Sequence, residues 1–490
     1  MNLALVWLLL AAAGSVASAE EESVPDGTIF GHVYDANTKQ PLSQAFVYTQ
    51  DVKCLKPATN SEGYYALKGC FSPLKNYAIE CRKNGYESSS QSITTDQRGT
   101  AEYNLYLFKT SPKWSKTYGG KERDWGNSVK EIADNGYIIC GDTFSYGEEP
   151  PNFWLVKTDS EGNEIWNRTF DNYGFEEIAA HGVLPTTDGG YIIAGTTGST
   201  ENSDIWIIKT DSSGVQTWDK TIGGPNFERA GSIKQTSDEG FIIAGQREQT
   251  TPDFNSDFLL LKIDSKGDLQ WERSFDKSTY DVCSDVQETT DHGYIVLGQT
   301  GGPEDIWLIK TDLNGNKIWD KTFGGSDHDS GNSIQKTSDA GYIITGMTLS
   351  YGAGNFDAWL IKIDSYGNKM WDKTFGGQGD DRGSEVRETN DSGYIIAGVT
   401  EKTDNWDIWL IKNDKVGDKI WDKTFGGPQL DYGNSVQETS DGGYIVAGQT
   451  GSYGAGYVDM VLIKTDSNGD SNLGELSKNK LIDLSEPVPL

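Results

Sequence analysis

The sequence predicts an all-β protein: a small antiparallel β-sandwich followed by a seven-bladed β-propeller. Three observations predict it. The 58 glycines and 14 prolines imply many tight turns between short strands. Four strand-length phrases recur in a fixed cycle through residues 111–470. Each cycle carries one tryptophan, at Trp114, Trp166, Trp218, Trp271, Trp319, Trp371 and Trp421, spaced by 48 to 53 residues.

The chain opens MNLALVWLLLAAAGSVASA and continues EEES. The apolar run and the A-S-A that ends it predict a secretory signal over 1–19 with cleavage after Ala19, then an acidic linker over 20–25. No Lys or Arg precedes the run, a departure from the usual pattern. No second apolar stretch of about 18 residues follows, so no integral membrane segment is expected after cleavage, and the mature chain is expected to be secreted or on the cell surface. Five cysteines fit an oxidising compartment. Cys54, Cys70 and Cys81 suit one local disulfide of open pairing, while Cys140 and Cys283 have no evident partner. Asn167 and Asn390 each head an N-x-S/T sequon and are candidate glycosylation sites.

Residues 26–108 read as short β runs punctuated by Gly, Pro and Asn, which predicts the sandwich. The phrases IFGHVYD, PLSQAFV, TNSEGYY and NGYES follow one another in the order seen in carboxypeptidase regulatory-like, transthyretin-like domains, and the segment resembles that family over its whole length. The resemblance implies an accessory module rather than a catalytic one.

In the repeats the first phrase is polar (GNSVKEI, GNSIQKT), and the second and third are apolar on both faces (GYIIAG, IWLIKTD). The fourth carries the tryptophan (IWDKTFGG). Strands apolar on both faces need cover on both sides, and units of about 50 residues with four strands each, stacked side by side, describe propeller blades. Counted from the first polar phrase, the last unit lacks its tryptophan strand, and the orphan KWSKTYGG at 113–120 supplies it. This predicts closure of the one-plus-three kind, which removes a free sheet edge. D-x-G-Y/F and D-x-x-G mark hairpins in which Asp bonds local backbone amides and Gly supplies positive φ. The repeats resemble secreted prokaryotic surface propellers of archaeal type, a group whose membership implies the fold and no defined activity.

A net charge of −31 argues against nucleic acid as partner. Three further readings concern sites. Asp124, Glu228, Asp281, Asp329, Asp381 and Asp431 recur just before the innermost strand, with Glu177 in the remaining blade, and converging carboxylates there would take Ca²⁺. Tyr146, Tyr351 and Tyr453 in SYG loops, with Phe254 and Trp406, would stack on a sugar or a protein partner. The four histidines are scattered and indicate no triad or zinc site. The reading is of a non-catalytic binding or scaffold protein that recognises a glycan or protein through the variable loop face. Two alternatives stand beside it. One is a self-assembling subunit of a surface layer or filament, using the tail 471–490 or the N-terminal domain. The other is a lyase or glycosidase with acids at the channel mouth.

Overall fold

The computed structural model describes residues 27–472 except 37–38, 50–57, 69–70, 84–85, 87, 108–110, 148–150, 172–176, 200–201, 250–254, 302–304 and 403–404. The expected signal peptide, Cys54, Cys70, Phe254 and the tail beyond 472 lie outside the described residues. The chain divides into two compact units, Met1–Thr110 and Ser111–Leu490. Among the described residues every regular element is a strand, and no helix is long and apolar enough to cross a membrane.

In the first unit, Ile29–Asp35 alternates buried and half-buried positions, as a strand with one core face should. It pairs antiparallel with Tyr64–Leu67 and parallel with Ala101–Glu102 and Leu105–Leu107. A second sheet of Phe46–Thr49, Asn76–Arg82 and Ser89–Thr94 is antiparallel. Ile29, Val33, Val47, Leu67, Ile79 and Leu105 form the core. The expected purely antiparallel sandwich is therefore corrected to a mixed one. Alternation marks which face is buried and carries no information on strand direction. Cys81 is buried and free, as are Cys140 and Cys283 in the second unit.

The second unit holds seven four-stranded antiparallel sheets in succession. The first runs Asp124–Glu131, Tyr137–Thr143, Asn152–Thr158 and Glu164–Phe170. The seventh takes Asp431–Glu438, Tyr444–Thr450 and Asp459–Thr465, and its fourth strand is Trp114–Tyr118 from the start of the unit. Second and third strands are buried along almost their whole length. Each hydrophobic cluster joins one sheet to the next, and the cluster of Val129, Ile139, Ile445 and Leu462 joins the seventh to the first.

Three devices repeat along the succession. The fourth-strand tryptophan lies on the third-to-fourth hairpin of the following sheet, so a Cβ on Gly315 would stand 2.7 Å from the Trp271 ring. Gly315 also has φ +76°, so that hairpin needs glycine on two counts. The series is unbroken: Trp421 meets Gly469 of the seventh sheet, and Trp114 of that sheet meets Gly162 of the first. Second, the first-to-second hairpin aspartate accepts from a third-strand lysine, as Asp291 does from Lys310 at 2.9 Å and Asp441 from Lys464 at 3.0 Å. Burial alone would raise the Asp291 carboxyl, but the Thr289 hydroxyl and Lys310 hold it at about 2. Third, a glutamate ending the first strand accepts from the hairpin of the preceding sheet, as Glu388 does from the Ser338 amide at 2.7 Å and Glu131 from that of Ser440 at 2.8 Å.

Candidate functional site

The six acids singled out from the sequence each stand at or next to the start of a first strand, and all are buried at 0–2% exposure. Each is bound into its own loop rather than aimed at a common point. Asp329 accepts from the Gly325 amide at 2.8 Å, the Ser350 hydroxyl at 2.7 Å and the Thr348 hydroxyl. Asp124 makes the equivalent bonds, Asp431 makes the amide and serine ones, and Glu228 is held instead by Arg247 at 2.7 Å. Among the described residues, no group of three or more His, Cys, Asp or Glu is placed to hold a metal ion. Among the described residues the structure therefore does not bring Asp124, Glu228, Asp281, Asp329, Asp381 and Asp431 together as a metal-holding cluster, and loop hydroxyls and amides take most of their carboxylate oxygens. The side chain of Glu177 lies outside the described residues.

A second acid, at or near the start of a third strand, approaches each of several of these. A Cβ on Gly324 would stand 2.0 Å from Asp305 Oδ1 and 2.8 Å from Asp329 Oδ2, and Gly376 and Gly426 sit likewise between Asp357 and Asp381 and between Asp407 and Asp431. Burial, and then the Asp329 charge, raise the Asp305 carboxyl above the usual range. Its Oδ1 is buried with no hydrogen-bond partner. A raised folded-state pKa means that stability present at low pH is lost as pH rises through it, because the carboxyl must then ionise in place. Asp305→Asn is therefore expected to raise the urea midpoint at pH 7, with the difference from the parent chain gone near about pH 3, where the Asp is protonated in both states. Equal midpoints at pH 7 would remove the repulsion argument.

The SYG tyrosines serve the same loops. Tyr146, Tyr351 and Tyr453 donate to the carbonyls of Gly119, Gly324 and Gly426, each at 2.8 Å. Tyr146 and Tyr351 also lean on Trp154 and Trp359 at 5.5 and 5.3 Å. Their hydroxyls are spent on the loop, while Tyr146 and Tyr351 themselves stay exposed at 39% and 42%.

Trp406 is different. The Arg382 guanidinium lies 4.7 Å from its ring centroid and 5.4 Å from that of Phe356. Tyr432 meets Trp406 at 5.4 Å and His328 meets Phe356 at 5.4 Å, both edge to face. The result is a half-buried band, His328–Phe356–Arg382–Trp406–Tyr432, crossing the loop ends of the fifth, sixth and seventh sheets. Arg382 donates to Asp380 at 3.3 Å, while its Nε is buried without a partner. Sequence reasoning found only Trp406 here. Of its neighbours, Arg382 and Tyr432 each follow a first-strand aspartate, and Phe356 holds one sheet earlier the position Trp406 holds in its own, so the repeat carried a signal for the band that was not used.

A second assembly escaped the sequence reading. One cavity of about 230 Å³ is lined by residues from the first strands of all seven sheets, from Asn127 round to Asn434. Lys130, Lys234, Asp285, Glu385 and Arg387 line it, together with His181. Lys234 pairs with Asp285 at 2.9 Å, Arg387 with Glu385, and Lys130 approaches Glu385 at 3.9 Å. Asp285 also accepts from the Ile334 amide at 3.0 Å and Glu385 from the Val436 amide at 2.7 Å, so both acids clasp the next sheet. Burial works against Glu385, yet Arg387 and Lys130 hold it at about 2. Burial pushes Lys130 down to about 8, Glu385 opposing and Arg387 and Lys234 adding to the push.

The sequons differ. Asn167 is half-buried in a fourth strand and its amide nitrogen donates to Glu164 at 2.6 Å, whereas Asn390 is exposed at a first-to-second hairpin, its backbone amide bonded to Glu438 at 2.7 Å.

Residues 29–112 match the model of the carboxypeptidase regulatory-like domain family (CarboxypepD_reg-like domain). No curated protein matches the chain. Solved structures similar to it include Sqt1 of Chaetomium thermophilum, at 9% identity and TM-score 0.44 over 73% of this chain and 98% of that one. The periplasmic gluconolactonase PpgL of Pseudomonas aeruginosa is 8% identical, with TM-score 0.44 over 79% and 97%. The BP39L lectin of Burkholderia pseudomallei is 6% identical, with TM-score 0.47 over 72% and 98%. Similarity this remote carries no argument about activity or ligand.

Proposed function

We propose that the seven sheets are the blades of one closed propeller, and that the chain is a secreted or cell-surface binding protein holding a glycan on the His328–Tyr432 band. The unbroken Trp-on-Gly series and the cavity shared by seven first strands support the ring. The observation that carries the binding reading is Arg382 held between the Phe356 and Trp406 rings. Half-exposed flat rings accept the apolar face of a sugar, and Arg382 and Asp380 supply a donor and an acceptor at its edge. Asp380 accepts Arg382 at 3.3 Å, long enough to yield to a hydroxyl.

A glycosidase needs one carboxyl kept protonated beside the substrate. Glu385 is held ionised at about 2. Asp142, raised by burial to about 7, is 1% exposed, and the cavity lining does not include it. The groups at hand therefore favour binding over acid-assisted hydrolysis. The assembly alternative rests on the N-terminal domain or on a tail that lies, beyond 472, outside the described residues. Where the tail begins, Ser471 and Asn472 bond back to Trp114 and Lys113 at 3.2 and 3.1 Å, which supports a strap on the closing strand.

Glycan-array screening of the full chain, followed by calorimetry on the best sugar, tests the reading. Trp406→Ala and Arg382→Ala are each expected to weaken binding about tenfold or more. Sugar binding untouched by both changes would move the site elsewhere, and a protein ligand competing at the same band would replace glycan as its partner.

A further inference from the structure

The axial cavity has a use that the loop-face reading does not absorb. Its charges do not balance: three cations (Lys130, Lys234 and Arg387) face two acids (Asp285 and Glu385), a surplus of one positive charge inside a chain of net charge −31. The pairing shows which cation is in surplus. Lys234 has Asp285 at 2.9 Å and Arg387 has Glu385. Among the described residues Lys130 has only the Val129 carbonyl at 2.9 Å and a shared, longer approach to Glu385 at 3.9 Å. Glu385 is already engaged by Arg387, the Ser435 hydroxyl at 2.6 Å and the Val436 amide. A half-buried ammonium in that position favours any anion that can enter.

We propose that this cavity is a binding site for a small monocarboxylate, held by Lys130 on the axis of the repeats. One negative charge brings the cavity to neutrality, whereas a phosphate dianion would overshoot it. The volume of about 230 Å³ admits a molecule of a few carbons, and Ser128, Ser284, Asn332 and Ser384 on the wall offer hydroxyl and amide groups to a hydroxylated one.

The site has a proton signature. Around pH 8 Lys130 is partly neutral, held down by burial and by Arg387 and Lys234 against the pull of Glu385. An arriving carboxylate favours the ammonium, so binding there takes up a proton from solution.

The test is calorimetry on the full chain with D-glucuronate, acetate and inorganic phosphate, at pH 8, in two buffers of different ionisation enthalpy. The proposal expects a carboxylate to bind with proton uptake, at least tenfold more weakly in Lys130→Met. Lys130→Arg should keep binding and lose the uptake, since guanidinium stays charged. Trp406→Ala should leave carboxylate binding unchanged, which separates this site from the loop-face band. No heat from either carboxylate at millimolar concentration, equal binding by Lys130→Met, or a preference for phosphate would each overturn it.

Discussion

Asp441→Ala is expected to destabilise the propeller unit by about 3–5 kcal/mol, read as a lower urea midpoint of the full chain. The cause is the lysine it leaves behind. Lys464 is 0% exposed and donates to Asp441 at 3.0 Å and to the Thr465 carbonyl at 3.0 Å. Burial already pulls its pKa below the usual lysine value, with Asp441 opposing. Without the carboxylate the ammonium is buried unpaired, or must shed its proton to stay. The reverse change, Lys464→Met, costs less, because Asp441 is 22% exposed and can turn to water. Asp441→Ala combined with Lys464→Met should recover most of the loss. The pH sign follows from Asp441, whose carboxyl is held low by Lys464 against the effect of burial. Its contribution is present above the unfolded-state carboxylate range and is lost as pH falls through the depressed value. The parent chain should therefore lose its advantage over the double variant in acid. A single variant within about 0.5 kcal/mol of the parent would show that the pair does not hold the hairpin.

Trp114→Ala carries the second large effect, at the seam where the first strand of the unit completes the last sheet. Trp114 is 6% exposed, with its ring 5.9 Å from Tyr137 and its Nε1 donating to the Ser160 carbonyl at 3.2 Å. A Cβ on Gly162 would come within 2.5 Å of the ring, so the indole fills its place against the first sheet closely. Truncation should cost about 3–5 kcal/mol, the range for a buried aromatic whose site cannot collapse. The damage should also be local. Limited proteolysis should cut first near Asp459–Asn472, and Trp319→Ala, of the same chemistry but at an interior junction, should not expose that segment. Identical proteolysis patterns for the two variants would mean the seam is no weaker than any other junction.

What could be read from residues alone divides along a physical line. Hairpin aspartates such as Asp291 and glycines such as Gly315 were legible because turn chemistry is local. The orphan KWSKTYGG was legible because counting phrases needs no geometry. The lysine of the third phrase was not: a lysine in a strand reads as surface, and only the structure puts Lys464 under Asp441. The direction of Ala101–Glu102 and Leu105–Leu107 in the first unit was hidden for the reason already given for mixed sheets. Recurrence of the acids before the first strands was a structural signature, and the Thr348 and Ser350 hydroxyls on Asp329 explain it. The axial cavity did leave a signal. At one first-strand position the repeats write Ser128, Ser232, Ser333 and Ser435, but Asp285 and Glu385 break the series, and Lys130, Lys234 and Arg387 stand two residues beyond that position in their own strands. Departures from the repeat, rather than its regularities, mark where chemistry collects.

The strand Trp114–Tyr118 is made by the ribosome before anything it pairs with. Ser471, which bonds to the Trp114 carbonyl, lies 357 residues further on. Six sheets can form in turn as their hairpins emerge, each from neighbours in sequence. The seventh must wait, so a nascent chain carries an unpaired strand at the start of the unit and an open sheet edge on Asp459–Thr465 at its end. Loop-closure entropy rises only logarithmically with length, so the delay is one of time more than of stability. A chain built this way commits to its final form in a single late step, and until then its loose strand and open edge are the surfaces that a chaperone would cover or another copy would capture.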